Sequence, residues 1–549
     1  MSDAATMRAA ALAAAKRGDD AGAERLFAQA LAAFPRDAAL ANSAGNFHAG
    51  AGRAAEALAL FDRALAIDPR LGEAAINRAV MLTRLGRAGE AVAELTAGQA
   101  ALAALPRYWT TRAAAETAIG DLRAAADSYA AQLARDPRHV RALHGAARTA
   151  LDRGAEDAVA QYDRALRVSP GDPWLLHGLA QALEAAGDRP AALGIAADLA
   201  LHLPQWVDAL ELYAGLRWAA GEREGFCDHY PRAVAVHPDG AAERSWAAML
   251  AGVDRHADAG EVLAAARRRV GDRDELVLAE AIARGEAGED GAAAALFDRF
   301  GGDTPDWQVA RARQALRTGA PDLAERLLAA ALAVRADDVT AWSLRDLAWR
   351  VLGDARHEWL HRHPALIREL PLDLSAAQRA AACTTLDALH DRAAMPIGQS
   401  VKQGSQTRGA LFQRDAPMIR AIARAVDEAI ARYREGLPPV DPVHPLLARR
   451  DAPWRVVGSW SIRLDGRGRH APHVHPHGLL SSAAYFTVPE AAPGVLELGR
   501  APENLRLDLP PIATIVPRVG HCVLFPSTLF HGTRPIAAGR RMTVAFDVA

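Results

Sequence analysis

Residues 23–37 read "AERLFAQALAAFPRD", and residues 324–338 read "AERLLAAALAVRADD". The fold of the first two-thirds of the chain turns on whether that likeness is a repeat. Prolines recur at Pro35, Pro69, Pro106, Pro137, Pro170, Pro204 and Pro238, at intervals of 34, 37, 31, 33, 34 and 34 residues. An aromatic stands eight residues before several of them and an alanine five before, in the pairs Phe27 and Ala30, Phe61 and Ala64, Tyr162 and Ala165, Tyr230 and Ala233. Small alanines let two antiparallel helices approach closely, the aromatic fills the space between neighbours, and proline stops the second helix. The pattern predicts stacked helical hairpins over roughly residues 5 to 355, clearest before residue 240 and degenerate from 240 to 320.

With 549 residues the chain exceeds what one core holds, so at least two domains are expected. A formal charge of -2 argues against a nucleic-acid or acidic-membrane partner held by bulk electrostatics. Cys227, Cys383 and Cys522 are scattered without a CxxC pair, which points to a reducing compartment rather than a disulfide framework. The opening stretch "MSDAATMRAAALAAAKRGDD" lacks a signal-peptide core, and no apolar run approaches the ~20 residues of a membrane span. The expectation is a cytoplasmic protein with neither a membrane nor a nucleic-acid partner.

A period near 34 residues with these features resembles the tetratricopeptide repeat. The resemblance implies an all-α superhelical solenoid, here residues 1–356, whose concave surface grips a peptide or protein. From about residue 357 the pattern changes. Residues 357–393 and 415–437 still read as helix, and the proline-rich turn "LPPVDPVHPLL" follows. Short candidate strands then alternate with glycine and proline: "WRVVGSWSIRL", "LLSSAAYFTV", "GVLELG", "ATIVPR", "HCVLFPS" and "RMTVAFDV". The second domain is therefore expected at 357–549, α+β, with a helical lead-in over 357–450 and a sandwich or barrel over 451–549.

The stretch "RHAPHVHPHG" carries His470, His473, His475 and His477. On a strand, positions i and i+2 share a face, so His473 and His475 can aim two imidazoles at one point. Further on, "VGHCVLFPSTLFHGTRP" places His531 after a strand, and Arg541 opens the final strand ten residues later. Two histidines at i and i+2, a distal histidine and a later arginine follow the order of a facial iron site with open positions for an oxo-acid and oxygen. A fixed guanidinium suits the far carboxylate of a dicarboxylate cosubstrate.

Together, "SWSIRL", "RHAPHVHPHGLLSSAAYF", "PGVLELG" and "GHCVLFPSTLFHGTRPIAAGRRMTVAFD" resemble the Fe(II)/2-oxoglutarate-dependent oxygenases found behind tetratricopeptide repeats in bacterial proteins. The upstream "GSQTRGALFQRDAPMIRAI" is similar to the lead-in of that family, so the resemblance spans about residues 395–549. It implies a double-stranded β-helix (jelly-roll) barrel with Fe(II) at its mouth, 2-oxoglutarate and molecular oxygen as cosubstrates, and hydroxylation as the usual outcome. Carried over by position, His473 is the first metal ligand, His531 the distal ligand, and Arg541 the anchor for the C5 carboxylate of 2-oxoglutarate. His475 stands where the superfamily usually has Asp or Glu, so the resemblance leaves open whether His475 is the third ligand, whether two histidines suffice, or whether another anion takes the place, with Glu497 and Asp465 as distant substitutes. Tyr485 and Ser482 are candidates to line the cosubstrate pocket and Arg463 to add a cationic contact, each against ordinary packing. A one-residue slip would exchange Arg540 for Arg541. His470 and His477 are assigned to solvent or to the surroundings of the ligands, and His521 away from the metal.

Three other readings compete. The histidines could be a surface cluster with adventitious metal affinity. A three-histidine cupin-like iron dioxygenase would need no oxo-acid, but it wants a Glu four or five residues past the H-x-H pair, where Leu479 and Leu480 stand. A non-catalytic tetratricopeptide scaffold with a degenerate ligand-sensing barrel is kept open by the missing carboxylate. No G-x-S-x-G or P-loop motif occurs. The sequence reads best as a dioxygenase acting on a peptide or protein recruited by its repeats.

Overall fold

The structure, a computed structural model, describes residues 3–391, 393 and 397–549. Arg392, at the end of the stretch read as helix, and residues 395–396, where the oxygenase-like span begins, lie outside the described residues. The chain divides into two compact units: residues up to 153 with Asp157–Leu175, and Gly154–Glu156 with Leu176–Ala549.

The first unit is built of paired helices. Asp19 caps the helix Asp20–Ala33 by accepting from the Gly22 amide at 2.9 Å. That helix buries Phe27 and Ala30. The next pair, Ala38–Gly50 and Ala54–Ile67, buries Phe61 and Ala64 completely. A Cβ at Gly45 would stand 2.6 Å from the Phe61 ring, so the close approach that the aromatic spans needs a residue without a side chain. Between the helices of successive pairs, Gly18, Gly52, Gly86 and Gly120 take φ between 76° and 80°, at intervals of 34 residues.

The second unit continues the same construction. The left-handed turn positions run on through Gly187, Gly221, Asp254, Gly288, Gly319 and Gly353. Helices Ala241–Ala251, His256–Val270, Asp274–Glu286 and Asp290–Phe300 fill the stretch expected to be degenerate. The hairpins persist there although the proline and aromatic signals fade; Asp254 replaces glycine and accepts φ of 65°.

The stretch read as one helix over 357–393 is broken. A short helix Arg356–His361 is followed by strand β1 (Arg368–Pro371) and the helix Ala376–His390, because Pro364 and Pro371 interrupt the ladder. The helix Pro417–Glu435 forms as read. Strands β2 (Val401–Gln406), β3 (Val456–His470), β4 (Leu480–Thr487), β7 (His521–Pro526) and β9 (Arg540–Val548) join β1 in an antiparallel sheet ordered β1-β7-β4-β9-β3-β2. Strands β5 (Leu496–Leu498), β6 (Ala513–Ile515) and β8 (His531–Thr533) form a second antiparallel sheet ordered β6-β5-β8. The helices Ala376–His390 and Pro417–Glu435 cover one face of the larger sheet through Leu386, Ile422, Leu524, Val544 and Phe546. The other face meets the smaller sheet through Tyr485, Leu496, Leu498, Val523 and Phe525.

The last repeat helices share a core with the sheets. Trp342, Leu344 and Trp349 of the helix Val339–Leu352 pack with Ala501, Leu505 and Phe530 from the loops between strands. Arg350 donates to the carbonyls of Gly499 and Pro510, and Arg317 to that of Asn504. His361 bonds Asp346 at 3.0 Å and Thr528 at 2.9 Å, all three buried. The expected division at residue 356 therefore runs through a continuous core. The segment before β3 is held on the repeats as well, by Lys402 to Asp254 at 2.7 Å and Arg408 to Glu184 at 2.8 Å. Among the described residues no helix is long and apolar enough to cross a membrane. All three cysteines are free.

Candidate metal centre

The histidines meet between the two sheets. His473 follows β3, and its amide and carbonyl pair reciprocally with those of His531, at 3.0 and 2.9 Å. This two-bond bridge sets the rings 4.2 Å apart between centroids. His475 lies 5.0 Å from His473 and 4.8 Å from His531. The ligand atoms of the three all fall within 4.8 Å of one another.

The tautomers follow from the acceptors behind each ring. Nδ1 of His473 faces the Ala471 carbonyl at 2.9 Å, Nδ1 of His531 the Leu529 carbonyl at 3.1 Å, and Nδ1 of His475 the Asp547 carboxylate at 2.5 Å. Carbonyl and carboxylate oxygens only accept, so each Nδ1 donates, which in a neutral ring leaves Nε2 as the metal-binding nitrogen. Nε2 of His473 and Nε2 of His475 stand 3.1 Å apart. Burial first, and the neighbouring His475 second, hold the His473 imidazole down to about 3. Burial also pushes His531 well below its ordinary range. Three imidazoles with their ligand atoms gathered at one place are a donor set suited to Fe(II), with acceptors behind the rings as metal-ligating histidines usually have.

A second feature lies deeper in the same cavity. Arg541 is 2% exposed on β9, and Nη1 donates to the Gly494 carbonyl at 2.7 Å. A Cβ at Gly494, whose φ is +74°, would meet that guanidinium at 2.7 Å, so glycine makes room for it. No acidic side chain pairs with Arg541 among the described residues, and its Nε has no partner. The hydroxyls of Tyr485 and Thr543, which line the same cavity, are likewise buried without partners. The Tyr485 ring centroid is 6.0 Å from the guanidinium carbon. A buried cation beside two unsatisfied hydroxyls is costly unless an anion completes it. These groups fit a carboxylate.

The other sequence candidates divide. Arg541 faces the cavity, while Arg540 points outward to Asp387 at 2.9 Å. Arg463 does not reach the cavity; it turns to the opposite face of β3, toward Asp391 at 3.2 Å and Asp465 at 3.5 Å. Ser482 spends its hydroxyl on the Phe546 backbone, and the serine facing His475 is Ser481, at 3.4 Å. Ser482 and Tyr485 both line the cavity that holds the histidines. Glu497 binds Arg500 and Arg534 away from the histidines, and Asp465 is paired with Arg463. His470 stacks on His473 at 5.9 Å, His477 is exposed, and His521 contacts Arg518. Asp547 went unnoticed in the sequence. Its signal is alternation: 541, 543, 545 and 547 share one face of β9.

Residues 458–547 match the family model described as "Putative 2OG-Fe(II) oxygenase". The match encloses all three histidines, Arg541 and Asp547. No curated protein matches the chain. Among solved structures, a tetratricopeptide repeat protein from Parabacteroides merdae is 15% identical, with a TM-score of 0.36, covering 44% of this chain and 97% of its own. PilW, a type IV pilus biogenesis factor, is 21% identical, with a TM-score of 0.35, over 38% of this chain and 96% of its own. A thermophilic tetratricopeptide repeat protein of Thermus thermophilus is 22% identical, with a TM-score of 0.28, over 33% of this chain and 99% of its own. The chain is a helical-repeat protein with a C-terminal antiparallel-sheet domain that is similar, over residues 458–547, to 2-oxoglutarate–iron oxygenases.

Proposed function

We propose that this protein is an Fe(II)/2-oxoglutarate-dependent dioxygenase, a hydroxylase of a peptide or protein recruited by its repeats. His473, His475 and His531 would hold the iron, and Arg541 with Tyr485 and Thr543 would hold the far carboxylate of 2-oxoglutarate. The observation that carries the reading is the gathering of three histidine ligand atoms with a buried guanidinium that has no acidic partner, in one cavity. A cupin-like site without an oxo-acid leaves Arg541 without a purpose, and a scaffold leaves both features without one.

When bound, iron and 2-oxoglutarate supply the oxidising chemistry, in which dioxygen is consumed and the keto acid leaves as succinate and carbon dioxide. The chain's part is placement. The backbone bridge between His473 and His531 fixes two donors, and the Ala471 and Leu529 carbonyls keep their protons on the outward nitrogens. Arg541 sets which end of a diacid enters first, through charge-assisted hydrogen bonds. Trp460, Ile462, Phe525 and Ala545 line the same cavity and keep water scarce around it. Adding Fe(II) and 2-oxoglutarate anaerobically to the purified chain should produce the visible charge-transfer band of the keto-acid chelate. Admitting oxygen should then release succinate. Absence of both would refute the proposal.

A further inference from the structure

Resting on that reading, we propose that Asp547 is a positioning residue that supplies, from behind His475, the negative charge that a carboxylate ligand would bring to the metal directly. A site of three neutral imidazoles around a divalent cation carries one more positive charge than two histidines and a carboxylate. The cavity holds a further fixed cation in Arg541. An anion close by would offset that excess.

Asp547 is placed for this. Its Oδ1 lies 2.5 Å from Nδ1 of His475 and accepts from the Ser481 hydroxyl at 3.2 Å. Ser481 is braced in turn by Ser527 at 2.8 Å. No lysine or arginine pairs with Asp547 among the described residues, and its only ion-pair partner is His475. The carboxylate's charge is thus not spent on a surface cation. Its side chain is 14% exposed and that of His475 is 17% exposed, so water screens the pair weakly. The surroundings are shaped to admit it. A Cβ at Gly478 would stand 2.7 Å from Ser527 Oγ and 3.5 Å from the Asp547 side chain. Trp460 closes edge-on against His475 at 5.3 Å. Of the three imidazoles only His475, which occupies the usual carboxylate position, is backed by a carboxylate. The other two are backed by carbonyls.

Outer partners of metal-bound histidines typically control metal affinity by 10–100-fold. The test is a double-mutant cycle on the full-length apoprotein with Co(II) as the probe. The ligand-field absorption gives both the affinity and the geometry, and apoprotein melting controls for folding. Asp547→Asn should weaken Co(II) binding by about 10–100-fold and alter the Co(II) spectrum. In the His475→Asp background the carboxylate is restored to the metal itself, and Asp547→Asn should there cost less than about threefold. Wild-type affinity in D547N would overturn the proposal. So would an equal loss in both backgrounds, since Asp547 would then act on the fold rather than through residue 475. Loss of the apo fold in both variants would likewise make the role purely structural and overturn it. Failure of the wild-type chain to bind Co(II) would instead refute the metal centre itself.

Discussion

Thr528→Val removes one hydroxyl and keeps the side chain's shape, at a point where the repeats and the sheets share a buried polar chain. Thr528 Oγ1 lies 2.9 Å from Nε2 of His361, whose Nδ1 lies 3.0 Å from Asp346. Arg350 backs that carboxylate at 3.6 Å. Exposures of 5%, 1% and 2% for Thr528, His361 and Asp346 leave no water to replace a lost partner. The substitution should leave a buried ring nitrogen unsatisfied, at a cost of about 1–3 kcal/mol. Thr528→Ser keeps the hydroxyl and should cost much less. Three indoles report on the place: Trp342 lies 6.2 Å from Trp349 and 6.1 Å from Trp359. Urea unfolding followed by tryptophan fluorescence should show a lower midpoint with an unchanged slope for T528V. Combining it with Asp346→Asn should give a non-additive loss, because both belong to one chain of bonds. A T528V protein as stable as wild type, or strict additivity, would refute the idea that this chain ties the repeats to the sheets.

Arg541→Met should leave the apoprotein as stable as wild type or more so, because it removes a buried charge that no acidic side chain neutralises. It should weaken 2-oxoglutarate binding by about 10–100-fold, read by titrating the chelate band. Deleting residues 1–350 should give insoluble protein, since the cut removes most of the tryptophan-lined core. Deleting residues 1–172 spares that core and should preserve the chelate band; both outcomes are checked by expression, gel filtration and absorption. Acid should weaken the second unit through His390, which bonds Ser405 and Ser461 at 2.8 and 2.9 Å and which burial pushes down to about 4. The unfolded chain takes up this proton near pH 6.5 and the folded one only near 4. Stability is therefore unaffected above pH 6.5 and falls between the two values, by on the order of 3 kcal/mol. His390→Gln should flatten that part of the stability–pH curve, measured by urea unfolding at successive pH values.

The repeats were legible because their demands are local. A proline stops a helix and an aromatic fills a fixed gap wherever the period recurs. Past residue 240 those markers fade, yet the left-handed turn positions at Gly288, Gly319 and Gly353 carry the period on, so the turn was the more durable signal. Strands β1 and β2 escaped notice because each is short and sits in a segment whose neighbours are helical; their pairing with β7 and β3 is a long-range fact. The histidine cluster and Arg541 could be proposed because spacing and order survive in one dimension. The faces of β3 cannot be assigned from the sequence, so nothing in it shows that Arg463 turns away from the cavity while Ser482 lines it. Asp547 needed only the parity of Arg541 carried six residues further along β9.

The reciprocal backbone bridge between residues 473 and 531 has a consequence for engineering. Two of the three donors are stapled to each other by main-chain atoms, so their spacing owes little to the side chains that form the surrounding walls. Those walls, Trp460, Ile462, Phe525 and Ala545 among them, can be recut to admit other guests while the anvil beneath them stays where it is.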